Sequence, residues 1–224
     1  MIFSKKFMPA GLLLIFFLVL PAHAESISLN DLIVKLQESY ERAESIEARF
    51  IQKATIKSIK KTETEEGIVY FKKPKRMRWV YNKPDLKELV INPQIAWFYI
   101  PEDSLVYIQD AKKIFNSKLT ISFLSGIGKL KDDFQINFSQ PTATDEEGNY
   151  LLDLIPRGFE AGVGKILLVV NKSNFQIMEF SLTDIYGNIT RITFKDMKTN
   201  TKLPDTFFIF TPPPGVEIYD MRNR

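Results

Sequence analysis

The chain has 224 residues, 45% of them hydrophobic, 25% charged and 12% aromatic, with a formal net charge of +3. This is the composition of one or two globular domains and excludes low-complexity disorder. There is no cysteine and only one histidine, His23. Disulfides, thiolate metal sites and cysteine nucleophiles are therefore excluded, and if His23 is lost on processing no imidazole remains for general-base or triad chemistry.

At the N-terminus, Lys5 and Lys6 precede an apolar run from Gly11 to Leu20, and Pro21-Ala22-His23-Ala24 places small residues at the two positions of an A-x-A cleavage site. This order predicts a secretory signal peptide over residues 1–24 and a mature single domain over 25–224. The uninterrupted apolar run of about ten residues is well below the roughly 20 needed to span a bilayer. Removal of Lys5 and Lys6 leaves 28 basic against 27 acidic residues, a formal +1. That balance argues against nucleic acid as a partner. No cysteine follows the apolar run, so the chain is not expected to be N-terminally lipidated.

Ser28 is a good N-cap with Asp31 three residues on, and Leu29, Leu32, Ile33, Leu36, Tyr40 and Ala43 recur at the spacing of one helical face. These predict one amphipathic helix. From Ile46 the period becomes two, with Ile46, Ala48 and Phe50 on one side and Glu47 and Arg49 on the other, which marks the first strand. Lys61 to Gly67 reads as a polar turn. Strands are then expected over 68–71, 76–81, 86–91, 95–100 and 105–109, separated by short stretches rich in Pro, Asn and Asp. Connections this short imply antiparallel neighbours.

Between Asp110 and Asp133 the alternation fails, and Gly126 and Gly128 interrupt apolar residues, so a short helix and a loop are expected there. Strands resume over 134–138, 150–155, 165–170, 175–183 and 189–195, and a last one over 207–211 precedes Pro212-Pro213-Pro214-Gly215 and a polar tail. About ten or eleven strands without a linker indicate one mainly antiparallel β domain.

No carboxylate pair is singled out by spacing, although Glu179, Asp184 and Asp196 could be imagined in such a role. Ser125-Gly126 with Gly128 is not a nucleophile elbow, and there is no phosphate loop, dinucleotide fingerprint or metal-ligand spacing. The basic cluster Lys72-Lys73-Pro74-Lys75-Arg76 with Arg78 suits phospholipid headgroups, an acidic partner protein or simply a solvated turn. Met77, Trp79 and Tyr81 share one strand face, and together with Trp97, Phe98 and Tyr99 they suit a ligand cavity or a packed core equally well.

An ordered set of stretches then accumulates. It consists of Phe50-Ile51-Gln52-Lys53, Lys72-Lys73-Pro74-Lys75-Arg76-Met77-Arg78-Trp79, Ala96-Trp97-Phe98-Tyr99 with Pro101, and Ser122-Phe123-Leu124 running to Leu130 and Phe134. After these come Asp184 with Gly187-Asn188, and Leu203-Pro204 with Phe208 to Val216. In this order, behind a signal peptide, the chain resembles the LolA family of periplasmic outer-membrane lipoprotein carriers. The resemblance implies a half-open antiparallel β-barrel closed by a helical lid over an apolar cavity that shields the acyl chains of lipoproteins in transit.

It also implies an inner-membrane ABC transporter that loads the carrier, and an outer-membrane receptor, or that membrane itself, that receives the cargo. No catalytic residue, metal or cofactor is implied. The acyl-chain cavity and lid fall to Phe50, Lys73, Met77, Trp79, Trp97, Phe123 and Leu124. Lys73 stands where the family usually has an arginine that latches the empty lid, and lysine lacks the planar five-donor fork of arginine. A carrier presenting one cavity mouth to successive partners is most simply a monomer. Three other classes compete: an envelope lipid- or lipoprotein-sensing domain of the same fold, a small outer-membrane barrel, and an envelope hydrolase. The barrel is disfavoured because Glu47, Arg49, Arg76 and Arg78 interrupt the apolar band its outer face needs.

Overall fold

The computed structural model describes residues 27–115, 130–157 and 162–222. The expected signal peptide and the stretch with Phe123, Leu124, Gly126 and Gly128 lie outside the described residues. The opening helix, α1, spans Leu29–Glu41. Ser28 is extended before it, and its Oγ both accepts from the Asp31 backbone N–H (3.1 Å) and donates to the Asp31 carboxylate (2.7 Å). That satisfies one of the four orphan amides of the first turn. Leu32, Ile33, Leu36 and Tyr40 form its buried stripe.

Among the described residues twelve strands follow: β1 (Ser45–Ile56), β2 (Lys61–Lys72), β3 (Arg76–Lys83), β4 (Lys87–Ile91), β5 (Ile95–Ile100), β6 (Leu105–Asp110), β7 (Phe134–Phe138), β8 (Tyr150–Pro156), β9 (Val163–Val170), β10 (Ile177–Asp184), β11 (Ile189–Thr199) and β12 (Glu217–Asp220). They form one sheet in the order β12-β6-β5-β4-β3-β2-β1-β11-β10-β9-β8-β7. Every neighbouring pair is antiparallel except β12 with β6. The outermost strands β7 and β12 do not pair with each other, so the sheet stays open, as the half-open barrel implied. One face gathers α1 with Phe50, Val69, Phe71, Met77, Trp79, Ile91 and Ala96 into the main core.

Three local expectations are corrected. Lys61 to Glu66 is strand rather than turn: β2 pairs residue for residue with β1 out to Ile56↔Lys61. This stretch is polar on both faces because cross-strand polar pairs support it, among them Thr55 with Thr62 (2.9 Å) and Gln52 with Glu65 (2.8 Å). The strand expected over 207–211 is instead a short 3₁₀ turn, Asp205–Phe208, followed by irregular chain. The polar tail forms β12, whose parallel partner lies more than a hundred residues earlier in the chain.

Candidate functional site

Side chains directly opposite one another on adjacent strands point to the same side of a sheet. The register therefore sorts the candidate residues. Met77 faces Phe71 on β2 and Ile91 on β4, and Ile91 faces Ala96 on β5. Trp79 is followed outward by Leu89, Phe98 and Tyr107. Phe50 is opposite Gly67, which is opposite Tyr81. Phe50, Met77 and Trp79 thus lie together on the face covered by α1.

The Phe50 ring meets Trp79 edge-on at 4.9 Å and Tyr81 at 5.0 Å, and Phe71 meets Trp79 at 6.0 Å. Gly67 makes room for this cluster, since a Cβ there would collide with the Val80 carbonyl and lie 2.8 Å from the Phe50 ring. Burial pushes the Tyr81 hydroxyl up to about 12, so it stays neutral. Towards the β6 edge the same face opens into a groove of about 240 Å³, lined by Leu89, Ala96, Phe98, Tyr107, Gln109 and Met221.

Trp97 does not join this wall. It is opposite Val90 and Ile108, and Val90 is opposite Arg78, so all four belong to the other face. There Trp97 is buried in a second cluster with Val90 and Val106, against Phe210 and Val216 of the C-terminal segment. A strand apolar at every position, Ile95–Ile100, does not reveal which alternate set faces the cavity.

Lys73 reaches the cover. Its Nζ donates to the Glu41 carbonyl at the C-terminal end of α1 (2.6 Å), and its backbone N–H donates to the Glu44 carbonyl (3.0 Å). The last turn of α1 contains no basic residue of its own, so Lys73 supplies the cation that this dipole end favours. A second set of anchors, not anticipated from the sequence, ties the same end of α1 to the turn before β10. The Ile177 N–H donates to the Tyr40 hydroxyl (3.1 Å), Ser39 Oγ donates to the Phe175 carbonyl (3.2 Å), and the Lys35 ammonium stands 5.0 Å over the Phe175 ring. Burial raises the Tyr40 hydroxyl far beyond its ordinary range and keeps it neutral. The only signal for this anchor was a tyrosine in an otherwise aliphatic helical stripe, whose hydroxyl needs a partner once buried.

Three neighbours of Lys73 in sequence, Lys72, Arg76 and Arg78, point the other way and hold the C-terminal segment against the opposite face. Lys72 Nζ donates to the Leu203 carbonyl (2.5 Å) and to Asp205 (2.6 Å), and Arg76 donates to Asp205 (2.8 Å). Arg78 binds Glu88 and the Phe207 carbonyl (2.7 Å), with its guanidinium 4.6 Å over the Phe207 ring. The hydrogen bond from Lys72, helped by the charge of Arg76, holds the Asp205 carboxyl below the usual aspartate range. Among the described residues no group of three or more acidic or histidine side chains could hold a metal ion. What the arrangement offers is an aromatic and aliphatic wall, a groove continuous with it and a helical cover held at one end.

The family described as outer membrane lipoprotein carrier protein LolA matches residues 41–211. The chain belongs to the LolA family. The outer-membrane lipoprotein carrier protein of Methylococcus capsulatus is 30% identical over 186 residues, covering 83% of this chain and 86% of that protein. That of Methylobacillus flagellatus is 26% identical over 188 residues, covering 84% and 88%. An uncharacterized conserved protein from Thermus thermophilus has a similar solved structure, with a TM-score of 0.55 at 14% identity, covering 85% of this chain and 98% of that one. The last likeness is one of fold alone.

Proposed function

We propose that this LolA-family chain is a periplasmic, non-enzymatic carrier that holds lipoprotein acyl chains against the concave wall of Phe50, Met77 and Trp79 and in the adjoining groove. The observation that carries the reading is that wall's cover: an amphipathic helix whose C-terminal end is pinned by hydrogen bonds from Lys73 and to Tyr40. In this reading residues 1–24 direct export and are removed. An inner-membrane ABC transporter loads the carrier, and an outer-membrane receptor or that membrane takes the cargo. Lys73 is the latch of the empty state.

Magnitudes make the exchange plausible. The buried stripe of α1 comprises four large side chains, together worth about 6–12 kcal/mol of apolar burial at about 1.5–3 kcal/mol each. One long acyl chain gains on the order of 10 kcal/mol by leaving water, at about 0.8 kcal/mol per CH₂. A cargo chain can therefore replace the helix against the wall with little net change, which favours both uptake and release.

The test is cargo uptake by Met77→Glu, which puts a charge on the wall, and by Phe98→Glu in the half-buried groove, where the fold tolerates a charge better. Wild type and Met77→Leu should form a one-to-one complex with acylated lipoprotein under native mass spectrometry, absent with unacylated cargo. Both Glu variants should lose it. Undiminished uptake by a folded Phe98→Glu variant together with Met77→Glu would remove the wall and groove from the cargo site.

A further inference from the structure

The turns β1–β2 and β10–β11 lie side by side at the end of the sheet away from Lys73. Each presents large apolar side chains to water: Ile56 and Ile59 (63% exposed) on the first, Ile185 (64%) and Tyr186 (76%) on the second. The two turns form one unit. β1 and β11 stay paired out to Thr55↔Ile189, and the Lys57 N–H donates to Asn188 Oδ1 (3.0 Å). The Lys57 stem lies against Gly187, whose φ of +80° and lack of a Cβ permit that approach.

We infer that these joined hairpin tips form a contact surface for an anionic phospholipid bilayer. Three features identify the partner as a bilayer. First, aliphatic side chains, a tyrosine and lysines are the composition of an interfacial anchor: the isoleucines enter the acyl boundary, the phenol stays at headgroup level, and the lysines snorkel to phosphate. Secondly, the charge at the tips is complementary to anionic headgroups. Lys57 and Lys60 have no acidic partner among the described residues, and with Lys61 they outnumber the nearby acids Glu63 and Asp184, which leaves the tips net positive. Glu63 pairs with Lys61 at 2.8 Å, and Asp184 accepts from the Tyr186 and Asn188 N–H groups and the Asn188 amide, each at 2.8 Å. Thirdly, polar backbone at the tips is satisfied internally: Lys60 N–H bonds the Lys57 carbonyl (3.3 Å) and Gly187 N–H the Asp184 carbonyl (3.0 Å). Unpaired amides would oppose entry into an interface, and here these are paired.

The inference goes beyond cargo carriage, because it concerns the empty protein. The experiment is flotation of the purified, processed and cargo-free protein with phosphatidylethanolamine vesicles containing a minority of phosphatidylglycerol, beside vesicles of phosphatidylcholine alone. Binding to the anionic vesicles that weakens with added salt is expected. Lys57→Gln and Lys60→Gln should each lower the partition coefficient about fivefold. Ile185→Asp with Tyr186→Asp should lower it at least about tenfold. These side chains are largely in solvent, so the variants should retain the wild-type circular dichroism and melting curve. Val34→Asp with Ile209→Asp, at exposed apolar sites away from the tips, should bind vesicles as wild type does. The inference is overturned if wild type ignores anionic vesicles, as a protein-docking surface would, or if the tip variants bind undiminished. Equal loss in the Val34/Ile209 control would also overturn it. Acylated-cargo capture, measured without vesicles, should be the same in wild type and tip variants, so failure of the carrier reading and failure of bilayer contact are separable.

Discussion

The two ends of the sheet are built on opposite plans. At the end that carries Lys73, polar side chains tie separate elements together: Lys73 to α1, Tyr40 to β10, Glu44 N–H to Asn200 Oδ1 (2.9 Å) and Ser45 Oγ to the Thr201 carbonyl (2.6 Å). At the other end, Ile59, Leu86, Ile185 and Tyr186 stand exposed on turns, and the Lys57 N–H to Asn188 bond joins two of those turns. The strands between them are the same strands. Local stability therefore concentrates at one end, where the cover is held, and leaves the other end free for contact.

That contrast can be broken by substitution. The largest effect is expected from Tyr40→Phe, which leaves the buried Ile177 N–H without its acceptor and should destabilise by about 1–3 kcal/mol, read from the denaturant midpoint. Lys73→Ala should cost about 0.5–2 kcal/mol, concentrated in faster hydrogen exchange of the α1 amides, whereas Lys73→Arg should restore most of the protection. At the smallest end of the scale, Ile59→Ser and Ile185→Ser should change stability by no more than about 0.5 kcal/mol. A tip substitution that cost as much as Tyr40→Phe would show that the two ends are not built differently.

Much of this architecture could be read without coordinates, where alternation or capping was strong. Ser28 and Asp31 announced α1. Charged Arg76 and Arg78, alternating with Met77 and Trp79, fixed which side of β3 is apolar. Where every residue is of one kind, period two is silent: Ile95–Ile100 is apolar throughout, so Trp97 could not be assigned to a face, and Lys61 to Glu66 is polar throughout, so it read as a turn. Long-range partners were equally invisible. Tyr40 with Ile177, and β12 with β6, are pairings of residues more than a hundred positions apart, specified by the folded sheet and by no local pattern.

The β2–β3 hairpin also acts as its own proofreader. Lys72, Arg76 and Arg78 serve one side of the sheet, and Lys73, Met77 and Trp79 the other. A slip of one residue in strand pairing inverts every side chain. Here it would carry two guanidinium groups into the aromatic interior and strand two large apolar side chains under the C-terminal segment. Few misregistered states could hide so costly an error, so the arrangement that holds both covers also makes the correct pairing the only comfortable one.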